Sequence, residues 1–300
     1  MTAPDIDVSI VLSIFNEAGH IEEEIGRIRG AMDASPYIYE IVVVDDGSSD
    51  SSVEVLRGIN GILLIECAQN RGSGSARKMG TRAARGRYVA WTDVDLTYPN
   101  DEIPRLIKEV GGYDQVVGAR TSEQGTAKLL RVPAKWFLRK LAGYLTETKI
   151  PDLNSGLRVF RRDVALQYLH LMPKGFSCVT TLTMSFLANG YSVKYVPIDY
   201  FARAGHSKFR WWSDTRRYLL QIVRMVLLYN PLKVFMPLAL TLLAGGTAKL
   251  VWDLFDKNFR VGTNTLVVLV AAFAVLMIGL LSDLIVQVNK PRDEIDPAYR

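Results

Sequence analysis

Two apolar runs near the C-terminus, Pro231 to Val251 and Thr265 to Val288, constrain the fold of these 300 residues more than any other feature. Each reaches roughly the 20 residues a helix needs to cross a bilayer. Formal charges are few, with Lys233 and Lys249 near the ends of the first run and Asp283 inside the second. The intervening Trp252 to Asn264 is too short for a domain and predicts a tight hairpin. Arg210, Arg216, Arg217, Arg224 and Lys233 precede or open the first run, and Lys290 and Arg292 follow the second. Basic residues favour the cytoplasmic side, so both termini are expected there, as in a multi-pass inner-membrane protein. The expected division is a soluble domain over 1–212, an interfacial amphipathic helix over 213–230, a two-helix transmembrane hairpin over 231–290 and a cytoplasmic tail over 291–300. The interfacial helix is read from Asp214, Arg217, Gln221 and Arg224, spaced by three and four among apolar residues. A core helix packed on the soluble domain is the other reading of that stretch. Lys128 to Leu145, where Lys135, Arg139 and Lys140 accompany Trp136, Phe137 and Leu141, is a weaker membrane-facing candidate.

The first two hundred residues alternate. Val8 to Ile14, Glu40 to Val44, Ile62 to Ile65, Tyr88 to Thr92 and Gln115 to Gly118 are apolar runs of strand length. Helical stretches lie between them at Ala18 to Met32, Val53 to Arg57, Ala76 to Arg85 and Ile103 to Val110. This alternation predicts an α/β domain, a Rossmann-like and mostly parallel sheet covered on both faces. Ligands of such sheets sit beyond the carboxyl ends of the strands, where this sequence places its acidic clusters. A net charge of +5 gives no reason to expect a nucleic-acid partner. Cys67 and Cys178, the two cysteines, lie in apolar surroundings and fit a reducing compartment better than a disulfide. Met1 to Asp7 carries no basic-then-apolar leader, so the soluble domain is expected to remain inside the cell.

Asp93-Val94-Asp95 follows the strand at Tyr88 to Thr92. Two carboxylates one residue apart on extended chain can share an oxygen-loving divalent cation with diphosphate oxygens. The same triplet could also serve only to begin a loop and cap a helix. Asp45 and Asp46 end the second strand and could meet a ribose or base, or could simply build the Asp-Gly-Ser turn. Asn70-Arg71-Gly72-Ser73-Gly74 precedes a helix and could approach phosphates closely. Arg77 stands where a dinucleotide fingerprint would need its third glycine, and no Walker sequence is present. His20, His170 and His206 share no ligand spacing, so zinc is not expected.

These stretches together resemble glycosyltransferase family 2 of the GT-A fold, in particular the polyprenyl-phosphate glycosyltransferase and dolichol-phosphate mannose synthase group. The resemblance runs through Ser9 to Glu17, Val42 to Asp50, Asn70 to Gly72, Asp93 to Asp95 with Leu96 and Pro99, Asp152 to Arg158, and Arg203 to Lys208. It implies a metal-dependent, inverting enzyme that moves one hexose from a nucleotide-sugar, GDP-mannose or UDP-glucose, to polyprenyl or dolichyl phosphate. By the same resemblance Phe15, Glu17, Val44 and Asp46 contact the nucleoside, and Asp93 and Asp95, with Val94 between them, hold Mg²⁺ or Mn²⁺ and the donor diphosphate. Arg120 matches a donor-site arginine. Arg203 and Lys208, with Ser207, match phosphate-binding positions, and Asp152 matches a candidate base. Asp152, Asp95 and Arg203 are thus the expected catalytic set. A turn-capping role after Pro151 is the other reading of Asp152. Ser13 replaces the family's usual proline, and Thr97 stands where a third metal-site side chain is common. Homo-oligomerisation is left open. Two rival functions fit the resemblance less well. A processive polysaccharide synthase would need Gln where Ser207 stands and more than two spans, and a non-catalytic nucleotide-sugar-binding membrane protein would keep the fold without turnover.

Overall fold

The computed structural model describes residues 5–121, 139–175, 177–201, 224, 227–256 and 260–289. The chain divides into two compact units, Met1–Trp211 and Trp212–Arg300. Arg203, Ser207, Lys208 and the 291–300 tail lie outside the described residues, as do most of the expected interfacial helix and most of the Lys128 to Leu145 stretch.

In the first unit the expected strands form as β1 (Val8–Ile14), β2 (Tyr39–Asp45), β3 (Ile62–Glu66), β4 (Tyr88–Thr92) and β5 (Gln115–Arg120). Two more follow, β6 (Arg158–Arg161) and β7 (Val193–Ile198). Among the described residues they make one seven-stranded sheet in the order β3-β2-β1-β4-β6-β5-β7. β6 runs antiparallel to both of its neighbours and the other pairings are parallel.

The pleat sends alternate residues to opposite faces, and each face has its own core. Ile10, Leu12, Ile41, Val43 and Ala90 pack under α1 (Ile21–Asp33), α2 (Ser52–Arg57) and α4 (Ile103–Val110). Val11, Val42, Val89, Trp91 and Phe160 face the opposite layer, where Val164 and Tyr168 of α6 (Arg162–Tyr168) and Cys178, Leu182 and Phe186 of α7 (Cys178–Ala188) cover them. α3 (Ser73–Ala83) lies on that second face too, with Gly80 so close to Val11 that an added Cβ would lie 2.4 Å from its Cγ1. Residues 139–146 form α5. α2 starts at Ser52, where Asp50 Oδ1 accepts the Ser52 amide at 3.0 Å and so supplies a helix-start contact.

The second unit contains α8 (Leu232–Asp256) and α9 (Thr263–Asn289), both long and apolar enough to cross a membrane. α8 runs one turn beyond the expected Val251, because Trp252 and Phe255 continue its exposed apolar surface while Asp253 turns inward. Asp253 is fully buried, accepts the Gly262 amide at 3.0 Å and the Thr265 hydroxyl, and lies 3.9 Å from Lys249 Nζ. It therefore caps the start of α9 from the neighbouring helix. Asp253→Ala should loosen the hairpin by about 1–2 kcal/mol, the value of a lost N-cap, read as an earlier midpoint in an SDS titration of the full chain. The helices approach closely at Gly246 and Gly279, where a Cβ would lie 2.7 Å from Leu269 Cδ2 and from Phe235 Cβ respectively.

Candidate active site

β1 lies between β2 and β4 in the sheet, so connections leave it in both directions, and a crevice opens beyond the strand ends at such a switch point. Phe15, Asn16 and Glu17 follow β1, Asp46 follows β2, and Asp93 to Thr97 follow β4. β6 is what brings the Asp152 to Gly156 segment to the same rim. Its antiparallel register pairs Arg158 with Trp91, so the residues preceding Arg158 come up beside those following Trp91. A Cβ on Gly156 would lie 2.7 Å from Asp93 Oδ2.

The β2 end is a built turn. Asp45 accepts the Gly47 and Ser48 amides at 3.1 and 3.0 Å, with Gly47 at φ +74°. Asp46 is 1% exposed and accepts the Arg71 and Gly72 amides at 2.8 and 2.7 Å. The next amides in that loop, Gly74 and Ser75, donate to the Lys174 carbonyl at 2.8 and 3.2 Å. Four amides of the loop and the α3 start, those of Arg71, Gly72, Gly74 and Ser75, thus have intramolecular acceptors. Val44 and Val94 are buried, at 0% and 2% exposure, so neither presents surface to a ligand in this structure. Phe15 is exposed and Glu17 half-buried at the mouth, with the Glu17 amide donating to Ser52 Oγ at 3.1 Å.

The acidic triplet is held from below by residues that its own sequence does not advertise. Arg77 Nη2 donates to Asp93 Oδ1 at 2.6 Å. Burial, the largest single influence, works against the Arg77 charge, but Asp93, Cys178 and Tyr98 together outweigh it and keep the guanidinium above its ordinary range. Thr97 donates its hydroxyl to Asp95 Oδ1 at 2.5 Å, so it orients a carboxylate. Tyr98 Oη accepts the Gly156 amide at 2.7 Å, and burial, then Asp93, pushes its phenol up to about 12. Asn100 donates to the Asp93 carbonyl at 3.1 Å and to Glu24, and accepts the Thr92 hydroxyl.

Glu24 is fully buried, and burial outweighs Asn100 and Arg27 in raising its carboxyl above the usual range. A raised acid contributes stability that is complete below its unfolded value and declines as pH rises through the folded one. Glu24→Gln should therefore flatten part of the fall in stability on the alkaline side of the ordinary carboxylate range, measured by denaturant unfolding of the detergent-solubilised chain from pH 4 to 8.

At the other side of the rim Arg120 Nε and Nη2 grip Asp152 Oδ2 and Oδ1 at 2.7 and 2.9 Å, both side chains being 11% exposed. Burial alone would raise the Asp152 carboxyl, but the Arg120 contacts hold it below the usual range. The Arg120 guanidinium also lies 5.1 Å from the Tyr200 ring, and Tyr200 stacks edge-on against Tyr98 at 5.2 Å. Arg158, fully buried, donates to the Val179 carbonyl, the Thr183 hydroxyl and the Ser155 carbonyl, and burial together with Arg77 lowers it to about 10. It thereby anchors the segment that carries Asp152 and Gly156 onto α7.

Among the described residues no three His, Cys, Asp or Glu side chains gather as a metal cluster. The acidic rim instead offers two hard carboxylates, Asp93 and Asp95. That donor set fits Mg²⁺ or Mn²⁺, which keep several positions for water and phosphate oxygens.

The fold has known counterparts. The chain is similar to glucosyl-3-phosphoglycerate synthase of Mycobacterium tuberculosis solved with phosphoglyceric acid, at TM-score 0.58 and 18% identity over 73% of this chain and 80% of that one. It is similar also to that synthase solved with Mg²⁺ and UDP, at TM-score 0.59 and 17% identity over 73% and 79%. Among curated relatives, dodecaprenyl-phosphate galacturonate synthase of Rhizobium johnstonii is 26% identical over 98% of this chain and 91% of its own length. An undecaprenyl-phosphate 4-deoxy-4-formamido-L-arabinose transferase of Shewanella sediminis is 32% identical over 64% of this chain, a match that spans 57% of that relative. An uncharacterised glycosyltransferase of Synechocystis is 30% identical over 92% of this chain and 85% of its own length. Residues 230–288 match the GtrB C-terminal hairpin. Residues 9–169 match glycosyl transferase family 2, and the chain belongs to that family.

Proposed function

We propose that this protein transfers a single sugar from a nucleotide-sugar to a polyprenyl phosphate, with inversion at the anomeric carbon. The observation that carries the reading is the meeting of Asp93 and Asp95 with the Arg120–Asp152 pair at one rim, in a chain whose relatives are named for polyprenyl-phosphate sugar transfer and which ends in two apolar helices. Mg²⁺ or Mn²⁺, held by Asp93 and Asp95, would neutralise charge on the departing nucleoside diphosphate. Phe15 and Glu17, which are accessible at the rim, are assigned to the nucleoside side, and Asp46 behind them holds the Arg71–Gly72 turn.

The lipid phosphate oxygen attacks the anomeric carbon as the bond to the diphosphate breaks, without a covalent enzyme intermediate. Asp152 orients Arg120 in this scheme. A phosphomonoester with second pKa about 6 is already mostly dianionic near neutrality, and a carboxylate held low by Arg120 is a poor proton acceptor. Arg203, Ser207 and Lys208, which precede the first apolar helix in sequence, are assigned to the lipid phosphate. The catalytic unit and both termini face the cytoplasm in this reading.

The test is incubation of the purified full chain with labelled GDP-mannose or UDP-glucose, Mg²⁺ and a short polyprenyl phosphate, followed by organic extraction. One sugar per lipid in the extract supports the reading. Polymer would favour a processive synthase, and the absence of extractable label with a broad donor panel would favour a non-catalytic protein.

A further inference from the structure

We infer that Arg77, buried beneath the rim, is a positioning residue that sets the Asp93 carboxylate for the divalent cation; the inference rests on the reading of Asp93 and Asp95 above. Arg77 is 2% exposed and sits on α3. Its guanidinium is fixed from three directions: Nη2 donates to Asp93 Oδ1 at 2.6 Å, Nη1 lies 3.8 Å from Cys178 Sγ, and the group stands 5.5 Å from the centre of the Trp91 ring.

Asp93 is enclosed on the opposite flank too. The Gly156 backbone lies so near Asp93 Oδ2 that a methyl group there would sit at 2.7 Å, and Gly156 is itself held by its amide bond to Tyr98 Oη. With its carbonyl taken by Asn100, Asp93 stands in a slot whose two walls are a guanidinium and a glycine backbone. One carboxylate oxygen is committed to Arg77, so the direction in which the group can offer an electron pair is set before any ligand arrives.

A purely space-filling role explains this arrangement poorly. Burying a cation costs several kcal/mol unless it is paired, and an apolar side chain would fill the space over Trp91 without that cost. What the guanidinium alone supplies there is a rigid, permanently charged donor to Asp93. Partners that orient a metal-binding side chain in this way typically change metal affinity or activity about 10- to 100-fold when removed.

The experiment is an electron paramagnetic resonance titration of Mn²⁺ into the detergent-solubilised full chain, with UDP and with GDP, for wild type, Arg77→Lys and Arg77→Gln. Thermal unfolding and the metal and acceptor dependence of transfer are measured alongside. Both variants should bind Mn²⁺ about 10- to 100-fold more weakly, with the metal midpoint of transfer displaced to match and the acceptor KM unchanged. A loss of folded protein alone would lower the rate without moving that midpoint. Wild-type Mn²⁺ affinity in a folded Arg77 variant overturns the inference. If Arg77→Gln fails to unfold cooperatively, Arg77→Lys, which keeps the buried charge, decides. If it too fails to fold, Arg77 is structural and the inference is wrong. Failure of the wild-type chain to bind Mn²⁺ with either nucleotide would instead sink the reading of Asp93 and Asp95 itself.

Discussion

Replacing Asp95 with alanine is expected to reduce transfer on the order of a thousandfold while leaving the protein folded and membrane-bound. The several kcal/mol that a bound cation contributes to charge stabilisation translates into that factor at about 1.4 kcal/mol per tenfold. Asp95 is half-buried at the rim and receives the Thr97 hydroxyl and amide, and it belongs to neither hydrophobic core. The measurement is kcat by extraction assay on protein whose thermal midpoint and detergent-phase partitioning match wild type. Turnover within tenfold of wild type in Asp95→Ala would remove the metal role from the acidic triplet.

Arg120→Ala should act on stability as well as rate. It leaves Asp152 charged, 11% exposed and without its bidentate partner, and breaking a buried pair from one side costs about 3–5 kcal/mol. The Asn154 and Arg120 amides still donate to Asp152, which places the expected loss near 3 kcal/mol. Arg120→Ala with Asp152→Asn should recover most of that stability without recovering activity, because the orphaned charge is gone while the donor-side cation remains absent. The sign of the pH response follows from the Asp152 carboxyl being held low: the wild-type pair contributes fully above the ordinary carboxylate range and is lost only as pH falls through the depressed value. A single variant as stable as wild type at neutral pH would show that the pair is solvent-screened and does not organise the rim.

β1, β2 and β4 were legible because strands in the middle of the sheet bury both faces and read as mostly apolar runs, each followed closely by an Asn or Asp. β6 was not. It is four residues, Arg-Val-Phe-Arg, and the partners that make Arg158 tolerable in the interior, Val179 O and Thr183 Oγ1, lie on a helix some twenty residues further on. β7 was hidden by Lys194 and Pro197, residues a sheet accepts at an edge, which is where β7 lies. α7 is apolar and threonine-rich all round, so no 3.6-residue period marks it as a helix buried on every side.

The site divides in the same way. Asp93 and Asp95 announce themselves by following a strand end. Arg77 entered the sequence reading only as a missing glycine, since its partner lies across the sheet layer and no local pattern links them. Pairing of Arg120 with Asp152 depends on the chain reversing direction at β6, information that resides in tertiary packing.

That reversal shapes how such a molecule can diversify. The excursion from the end of β5 to the start of β6 leaves and re-enters on one side of the sheet, so it can lengthen, shorten or be rebuilt without shifting the register of any parallel strand. The ends of β1, β2 and β4 and the lip carrying Asp152 are thus distinct stretches of chain that meet where Gly156 approaches Asp93.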